Sequence, residues 1–213
     1  MKILHLDTTH PFLGKELEKI GFTNYYDFKT IKSDLKISDF FGIIIRSRIS
    51  IDKNFIDKCK NLKFIARIGS GIENIDVDYA KQKGIQIIST PEGNSNAVGE
   101  HALGMLLSIL NNINSSNSEV KKGIWNRESN RGIELKNKTV GLIGYGNTGK
   151  SFAKKLIGFD VNTIFYDIKK IEKDNYANPV SLNYLKDNSD IISLHVSMTE
   201  ESIGLINKNF IES

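Results

Sequence analysis

The sequence has little of what marks several classes of protein. Its 213 residues include one cysteine, Cys59, so no disulfide can form within the chain, which favours a reducing compartment such as the cytoplasm. Three prolines, and seventeen glycines without a period, exclude collagen-like or linker-rich material. The longest apolar stretch, residues 102–110, is far shorter than a membrane span, and no secretory signal pattern follows Met1. These features predict a soluble globular protein.

The charge is close to balanced, with 29 Lys and Arg against 25 Asp and Glu and a formal net charge of +4. The lysines occur as scattered pairs, such as Lys121-Lys122 and Lys154-Lys155, and form no single basic block. A nucleic-acid footprint normally needs a clustered basic face. We therefore interpret the basic excess as a solvated surface, and we expect neither nucleic acid nor a membrane as a partner.

Short apolar runs alternate with helical spacing along the chain, a pattern typical of parallel sheets covered by helices. The predicted strands fall into two series: residues 3–6, 42–45, 63–66 and 85–88, and then 139–144, 161–167, 180–181 and 191–196. A long helix that includes Val98 and Ile113, with its apolar residues on one face, lies between the series and ends in the polar stretch 111–117. The pattern predicts two α/β units that join near residue 92.

A glycine-rich fingerprint opens the second series. Residues 140–149 read VGLIGYGNTG, in which G-x-G-x-x-G follows an apolar strand and precedes a helical pattern. Gly144 allows the tight turn, Gly146 lets the backbone approach a pyrophosphate, and Gly149 lets helix and strand pack closely. Asp167 lies eighteen residues after Gly149, where an acid accepts hydrogen bonds from the adenosine ribose and repels a 2′-phosphate. The fingerprint therefore predicts NAD binding, in preference to NADP.

Two further loops follow predicted strands of the first series. Arg46-Ser47-Arg48 comes directly after residues 42–45, and its arginines either clamp a carboxylate or phosphate or belong to a solvated loop. Ser70-Gly71 follows the next strand, and its N–H groups can form an anion-binding nest. Because the carboxyl ends of parallel strands meet at one edge of a sheet, these two loops and a third at residues 92–94 are expected to border one cleft.

The histidines give weaker signals. His5 and His10 lie near the first strand without a further His or Cys close by, and a metal site needs three or four convergent ligands, so we expect no metal. His195 ends a predicted strand. It is either a catalytic acid or base, or a residue whose backbone lines the cofactor cleft, and we favour the second alternative.

Several stretches, taken in order, resemble one family. They are Arg46-Ser47-Arg48, LKFIARIGSGIENID (62–76), GNSNAVGEHALGM (93–105), Trp125, the fingerprint, Asp167 and DIISLHV (190–196). Together they resemble the D-2-hydroxyacid dehydrogenases, over almost the whole chain and most weakly before residue 40. The arginine loop is similar to that of the branch that acts on 3-phosphoglycerate. The resemblance implies two α/β domains: a flavodoxin-like substrate domain at 1–92 and a Rossmann NAD-binding domain at 93–213, with the active site between them.

The resemblance also implies roles for residues. Substrate-binding residues would be Arg46, Ser47, Ser70, Gly71 and Asn94, and cofactor-binding residues would be Gly144, Gly146, Asn147, Thr148, Gly149, Asp167, His195, Val196 and Thr199. The implied reaction moves hydride between C2 of a D-2-hydroxy acid and NAD. The implied substrate is 3-phosphoglycerate, at the first step of serine biosynthesis, with glyoxylate, hydroxypyruvate and lactate types left open. A homodimer through the long helix is expected.

The C-terminal part of the chain limits these expectations. Residues 205–210 resemble the segment that precedes the family's catalytic Arg, Glu and His, so no catalytic residue is assigned here. The resemblance therefore implies a Rossmann domain that is incomplete at its C-terminal side and a chain without turnover of its own. Two alternatives remain open: a non-catalytic NAD-binding module, and a domain that serves only subunit association.

Overall fold

A computed structural model describes residues 1–31, 36–199 and 201–212. The chain divides into two compact units, Met1–Gly93 and Asn94–Ser213. Each unit contains a parallel sheet with helices in its connections, so the predicted α/β fold class is confirmed.

The first unit is built on five parallel strands. Its elements are β1 (Lys2–His5), α1 (Pro11–Lys19), β2 (Thr23–Tyr26), β3 (Gly42–Ile45), α2 (Lys53–Asp57), β4 (Phe64–Arg67), α3 (Val77–Gln82) and β5 (Gln86–Ser89). The strand order β2-β1-β3-β4-β5 is that of flavodoxin-like sheets. The central strand β3 is buried along its whole length, as its continuous apolar sequence predicts.

Local sequence explains where two of these short helices begin. The Asp52 carboxylate accepts the N–H of Phe55 at 2.9 Å, and Asp76 accepts the N–H of Tyr79 at 3.0 Å. Such caps satisfy N–H groups that the first turn of a helix leaves without partners. They fix α2 and α3 against the core beneath β3 and β4, in which Phe55 and Ala80 are buried.

The second unit carries four parallel strands. Its elements are α4 (Ser95–Leu110), α5 (Ile113–Lys121), β6 (Thr139–Ile143), α6 (Asn147–Leu156), a 3-10 turn (Ile157–Phe159), β7 (Asn162–Tyr166), β8 (Asn178–Pro179), α7 (Leu182–Asn188), β9 (Ile191–Leu194) and α8 (Lys208–Ile211). The order β8-β7-β6-β9 corresponds to the first four strand positions, 3-2-1-4, of a Rossmann sheet. Helix α4 packs against α6, and the residues between them join one core with β6 and β7.

The long helix differs from its prediction in length. It ends at Leu110, after which Asn112 takes a left-handed conformation (φ 52°) and Ile113 begins α5. The polar stretch 111–117 is therefore a turn followed by a new helix. Asparagine tolerates the left-handed region better than most residues, which explains a break at this position.

The apolar residues of α4 also do not share a single buried face. Ala102 and Leu106 pack against the core, whereas Met105 and Ile109 are 52% and 73% exposed. The apolar stripe is thus wider than the core requires, and one flank of it faces away from the unit.

Candidate functional site

The glycine loop between β6 and α6 shows why two of its glycines are needed by the fold. Gly144 has φ +90°, and a Cβ placed on it would lie 2.6 Å from the carbonyl oxygen of His195. A Cβ on Gly149 would collide with the carbonyl oxygen of Gly144. Because real Cβ atoms do not approach backbone this closely, both positions require glycine for the strand–turn–helix to close.

Gly146 is different, because the protein itself does not require glycine there. Its φ is negative (−77°), so no left-handed conformation requires glycine, and apart from the two neighbouring residues no protein atom lies within 4 Å of an added Cβ. It precedes α6, whose N-terminus has no side-chain cap. Asn147 and Thr148 form the first turn, where N–H groups lack intrahelical partners. An open space above free N–H groups suits a pyrophosphate.

Asp167 is fixed in place at the carboxyl end of β7. One carboxylate oxygen accepts the N–H of Tyr145 at 2.7 Å, and the other accepts the N–H of Lys169 at 2.9 Å. The first bond ties Asp167 to the glycine loop, and the second holds the segment that follows it. A carboxylate held in this way presents its remaining lone pairs in a defined direction.

His195 follows β9, and its N–H donates to the carbonyl of Ile143. The ring lies 5.4 Å from the ring of Phe152, centroid to centroid, and Nε2 lies 3.0 Å from the hydroxyl of Ser193. Burial lowers the pKa of His195, so the ring is neutral near pH 7. The ring is engaged within the unit, and this favours a role for the backbone of His195 over acid–base chemistry.

A pocket of about 380 Å³ brings the predicted cofactor residues together within the second unit. Its lining includes Gly144, Gly146, Asp167, His195, Val196 and Thr199. Asn147, Thr148 and Gly149 do not line it and lie in the adjoining first turn of α6. The lining also includes Lys169, the neighbour of Asp167 in the fingerprint analysis, and Ile168, Leu182 and Leu205, which the sequence did not suggest. The volume is in the range of small-molecule sites.

The predicted substrate residues of the first unit lie after neighbouring strands. Arg46 and Ser47 follow β3, Ser70 and Gly71 follow β4, and the side chains of Arg46, Ser47 and Ser70 are exposed. The N–H of Arg46 donates to Asp7 at 2.6 Å, and the Asn74 amide donates to the Arg46 carbonyl at 3.3 Å. The main chain of this loop is therefore held on both sides while the Arg46 side chain extends outward.

The Arg48 side chain differs from that of Arg46, because it is hydrogen-bonded within the fold. Its guanidinium donates to the carbonyl oxygens of Leu6, Thr30 and Asp27 at 2.7–2.9 Å. These bonds tie the ends of β1 and β2 to the arginine loop. Neither a two-arginine clamp nor a purely solvated loop describes this geometry, because one arginine is used by the fold and one is open.

Asn94, the remaining predicted substrate residue, is the first residue of the second unit and precedes α4. Its side chain makes no capping hydrogen bond, and its carbonyl accepts the N–H of Val98. The amide is therefore exposed and free of the helix it precedes.

The His5 ring is buried and bonded to Asn24, with Nε2 2.8 Å from Oδ1. Desolvation lowers the pKa of His5, and the bond to Asn24 partly offsets this. Within residues 1–31, 36–199 and 201–212, no three His, Cys, Asp or Glu side chains converge as metal ligands. Over the same residues, no helix is long and apolar enough to cross a membrane.

Comparisons with known proteins agree with this geometry. Residues 103–213 match the family model for the NAD-binding domain of D-isomer specific 2-hydroxyacid dehydrogenases. A hydroxypyruvate reductase of Thermotoga maritima is 40% identical over 79% of the chain, and a D-3-phosphoglycerate dehydrogenase of Methanocaldococcus jannaschii is 34% identical over 99%. The chain spans 55% and 43% of the lengths of these two relatives. The fold superimposes on an NAD-dependent formate dehydrogenase from Staphylococcus aureus in complex with NAD, with a TM-score of 0.84 and 26% identity, covering all of this chain and 70% of that one.

Proposed function

The chain belongs to the D-isomer specific 2-hydroxyacid dehydrogenases, and from this premise we propose that it serves the oxidation of 3-phosphoglycerate to 3-phosphohydroxypyruvate. This reaction would be the first step of serine biosynthesis, in the cytoplasm. The cofactor is NAD, which takes up hydride from C2 of the hydroxy acid. Dehydrogenases of glyoxylate, hydroxypyruvate or lactate type are the alternative within the family.

The open space at Gly146 is the observation that carries the cofactor part of this proposal. It lies beside the first turn of α6, and Asp167 lines the same pocket. We assign the pyrophosphate to the N–H groups of Asn147 and Thr148, and the adenosine ribose to Asp167. His195, Val196 and Thr199 would line the remainder of the cofactor site. A carboxylate at position 167 repels a 2′-phosphate, which supports NAD over NADP.

The substrate part rests on the first unit. The open guanidinium of Arg46 can pair with a phosphate in bidentate geometry, and Ser47 extends beside it. The N–H groups of Ser70 and Gly71 would bind the substrate carboxylate, and Asn94 would be a further substrate-binding residue. We propose that these residues together bind the hydroxy acid and NAD.

Replacing Arg46 tests the choice of substrate. We expect the chain, saturated with NADH, to bind 3-phosphoglycerate more tightly than D-lactate, and Arg46→Ala to weaken 3-phosphoglycerate binding roughly tenfold, since a charge-assisted hydrogen bond contributes about 1.5–3 kcal/mol. D-lactate binding is expected to stay unchanged because lactate carries no phosphate. Calorimetric titration measures all four affinities.

The exposed Arg127 supplies the matched control, because Arg127→Ala removes the same charge from the other unit. If Arg46→Ala binds 3-phosphoglycerate as tightly as the Arg127→Ala control does, Arg46 does not bind the substrate phosphate, and the lactate-type alternative is favoured.

We also propose that the protein forms a homodimer through the exposed flank of α4 and the start of α5. Met105, Ile109 and Ile113 present apolar side chains there, each at least half exposed. Met105 and Ile109 themselves line a groove, together with the small residues Ala97, Gly104 and Ser108 and the polar residues Glu100, His101 and Asn114. Exposed apolar patches of this kind mark interaction sites, and self-complementary pairs are the commonest oligomers.

Sedimentation equilibrium measures this association directly. We expect the wild type to have twice the chain mass and Ile109→Lys to be a monomer, because an unpaired ammonium at the centre of an apolar contact is costly. Ile157→Lys is the control, since Ile157 is 58% exposed elsewhere in the same unit. A monomeric wild type, or a dimeric Ile109→Lys variant, would refute this interface.

A further inference from the structure

The position of Tyr145 in the glycine-rich fingerprint does not predict where its side chain lies. Tyr145 stands between Gly144 and Gly146, yet its ring is buried and stacks on Phe165 at 3.8 Å between centroids, with 10° between the planes. Its hydroxyl donates to Oδ1 of Asp174 at 2.9 Å. The tyrosine therefore lies beneath the glycine loop, with its polar end directed at a carboxylate twenty-nine residues later.

Asp174 gathers partners from three parts of the unit. Oδ1 also accepts the N–H groups of Tyr176 at 2.8 Å and Ala177 at 3.2 Å, while the Lys150 ammonium of α6 lies 2.9 Å from Oδ2. Burial raises the pKa of Asp174, but the bonds from Lys150, the Tyr176 N–H, Tyr145 and the Ala177 N–H outweigh it and lower the pKa to about 2. Burial, followed by the bond to Asp174, raises the pKa of Tyr145. At neutral pH the carboxylate is thus ionised and the phenol remains a donor.

These bonds enclose one short segment of the pocket wall. Residues 168–173 leave Asp167 and return through Asp174 to β8, and Ile168, Lys169 and Ile171 among them line the pocket. Tyr145 holds Asp167 through its backbone N–H at 2.7 Å and Asp174 through its hydroxyl. A single residue of the glycine loop therefore fixes both ends of the segment that borders Asp167.

We propose that Tyr145, Asp174 and Lys150 form a positioning latch that sets the adenosine end of the NAD site and its discrimination against NADP. The latch acts through Asp167, so the inference rests on the proposed cofactor role of that residue. With the latch closed, the Asp167 carboxylate is held toward the ribose, and Lys169 is held by its N–H bond to Asp167. With the latch open, the segment that carries the exposed Lys169 and Lys170 can shift relative to Asp167, so that the carboxylate is no longer held against the 2′ position.

Tyr145→Phe tests the latch with the loss of one oxygen atom, since it keeps the stacking on Phe165 and leaves Asp174 with two N–H donors and Lys150. We expect the dissociation constant for NAD to rise roughly five- to tenfold and that for NADP to change by less than about twofold. Titration of the protein with NAD and with NADP, well below its melting temperature, gives the two dissociation constants and their ratio. Tyr184→Phe is the matched control, because Tyr184 is half exposed on α7.

A purely structural tyrosine would lower the melting temperature and weaken both cofactors equally, which would overturn the latch. If the ratio of the dissociation constants for NAD and NADP were the same in Tyr145→Phe as in the wild type, the latch would be overturned as well. Failure of the wild type to bind NAD would refute the cofactor assignment itself, and so the two failures are distinguishable. Lys150→Met is a second variant, at an exposed side chain whose replacement does not require the core to repack. We expect it to reduce the preference for NAD over NADP, measured by the two dissociation constants, by a smaller factor than Tyr145→Phe does.

Discussion

Gly146→Ala is expected to weaken NAD binding by about a hundredfold or more, equivalent to ~2.7 kcal/mol, while the protein stays folded. Apart from the two neighbouring residues, an added methyl group meets no protein atom within 4 Å, and φ at Gly146 is negative, so alanine needs no left-handed conformation there. The methyl group instead occupies the space that we assign to the pyrophosphate above the N–H groups of α6. Loss of one glycine also reduces the freedom of the unfolded chain, so the melting temperature is expected to stay the same or rise slightly.

The chain supplies a matched control in Gly158, which also has open space where a Cβ would stand but lies in the 3-10 turn after α6. Gly158→Ala is expected to bind NAD as the wild type does. Calorimetric titration gives both affinities, and thermal unfolding followed by circular dichroism shows that both variants fold. Equal NAD affinity in Gly146→Ala and Gly158→Ala would show that the open space is not where the cofactor lies.

Asp167→Asn is expected to produce the largest change in cofactor preference. The substitution keeps one oxygen that can accept the N–H of Tyr145. It removes the negative charge and replaces the oxygen that accepts the N–H of Lys169 with an amide donor. NAD loses a charge-assisted bond from the ribose, and NADP no longer meets an anion beside its 2′-phosphate. The ratio of the two dissociation constants is therefore expected to shift toward NADP by about a hundredfold, split between weaker NAD and tighter NADP binding.

Asp160→Asn controls for the loss of one negative charge at the opposite end of β7. Asp160 is exposed and has φ +53°, a conformation that asparagine also tolerates. In Asp160→Asn, the ratio of the dissociation constants for NAD and NADP is expected to equal that of the wild type. A ratio in Asp167→Asn within about twofold of the control would exclude Asp167 as the ribose-binding acid.

The parts of the fold that could be predicted are those in which a residue type is tied to a geometric need. Gly144 and Gly149 are recognisable because a Cβ at either position would collide with backbone, and the spacing between them follows from the turn they build. The continuous apolar run of β3 likewise predicts a strand buried on both faces. Each of these signals is local, so it can be read from the sequence alone.

Strand β2 and helix α5, which the sequence analysis did not predict, depend on partners elsewhere in the chain. Strand β2 has only Asn24 partly covered, because it is an edge strand whose partner on one side is β1, and its sequence therefore lacks a buried apolar pattern. Helix α5 is rich in Asn and Ser, which predicts a loop, yet the Asn130 amide, from the segment after the helix, donates to the Glu119 carboxylate of α5 at 2.6 Å. In both cases tertiary or side-chain bonding outweighs local propensity.

The same distinction applies to the site. Arg46 and Arg48 are indistinguishable in the sequence, and only the folded chain shows that three carbonyl groups converge on Arg48. Asp174 belongs to no motif, so its bond to Tyr145 could not be anticipated. Leu182 and Leu205 line the pocket as ordinary apolar residues, without a sequence signal that separates them from the core.

The central claim is that NAD lies over Gly146, with its adenosine ribose at Asp167. A crystal structure of the chain grown with NAD tests this claim most directly. The account predicts the pyrophosphate within hydrogen-bonding distance of the N–H groups of Asn147 and Thr148, and a ribose hydroxyl bonded to a carboxylate oxygen of Asp167. An NAD molecule bound elsewhere, or a pocket that stays free of NAD at saturating concentration, would contradict it.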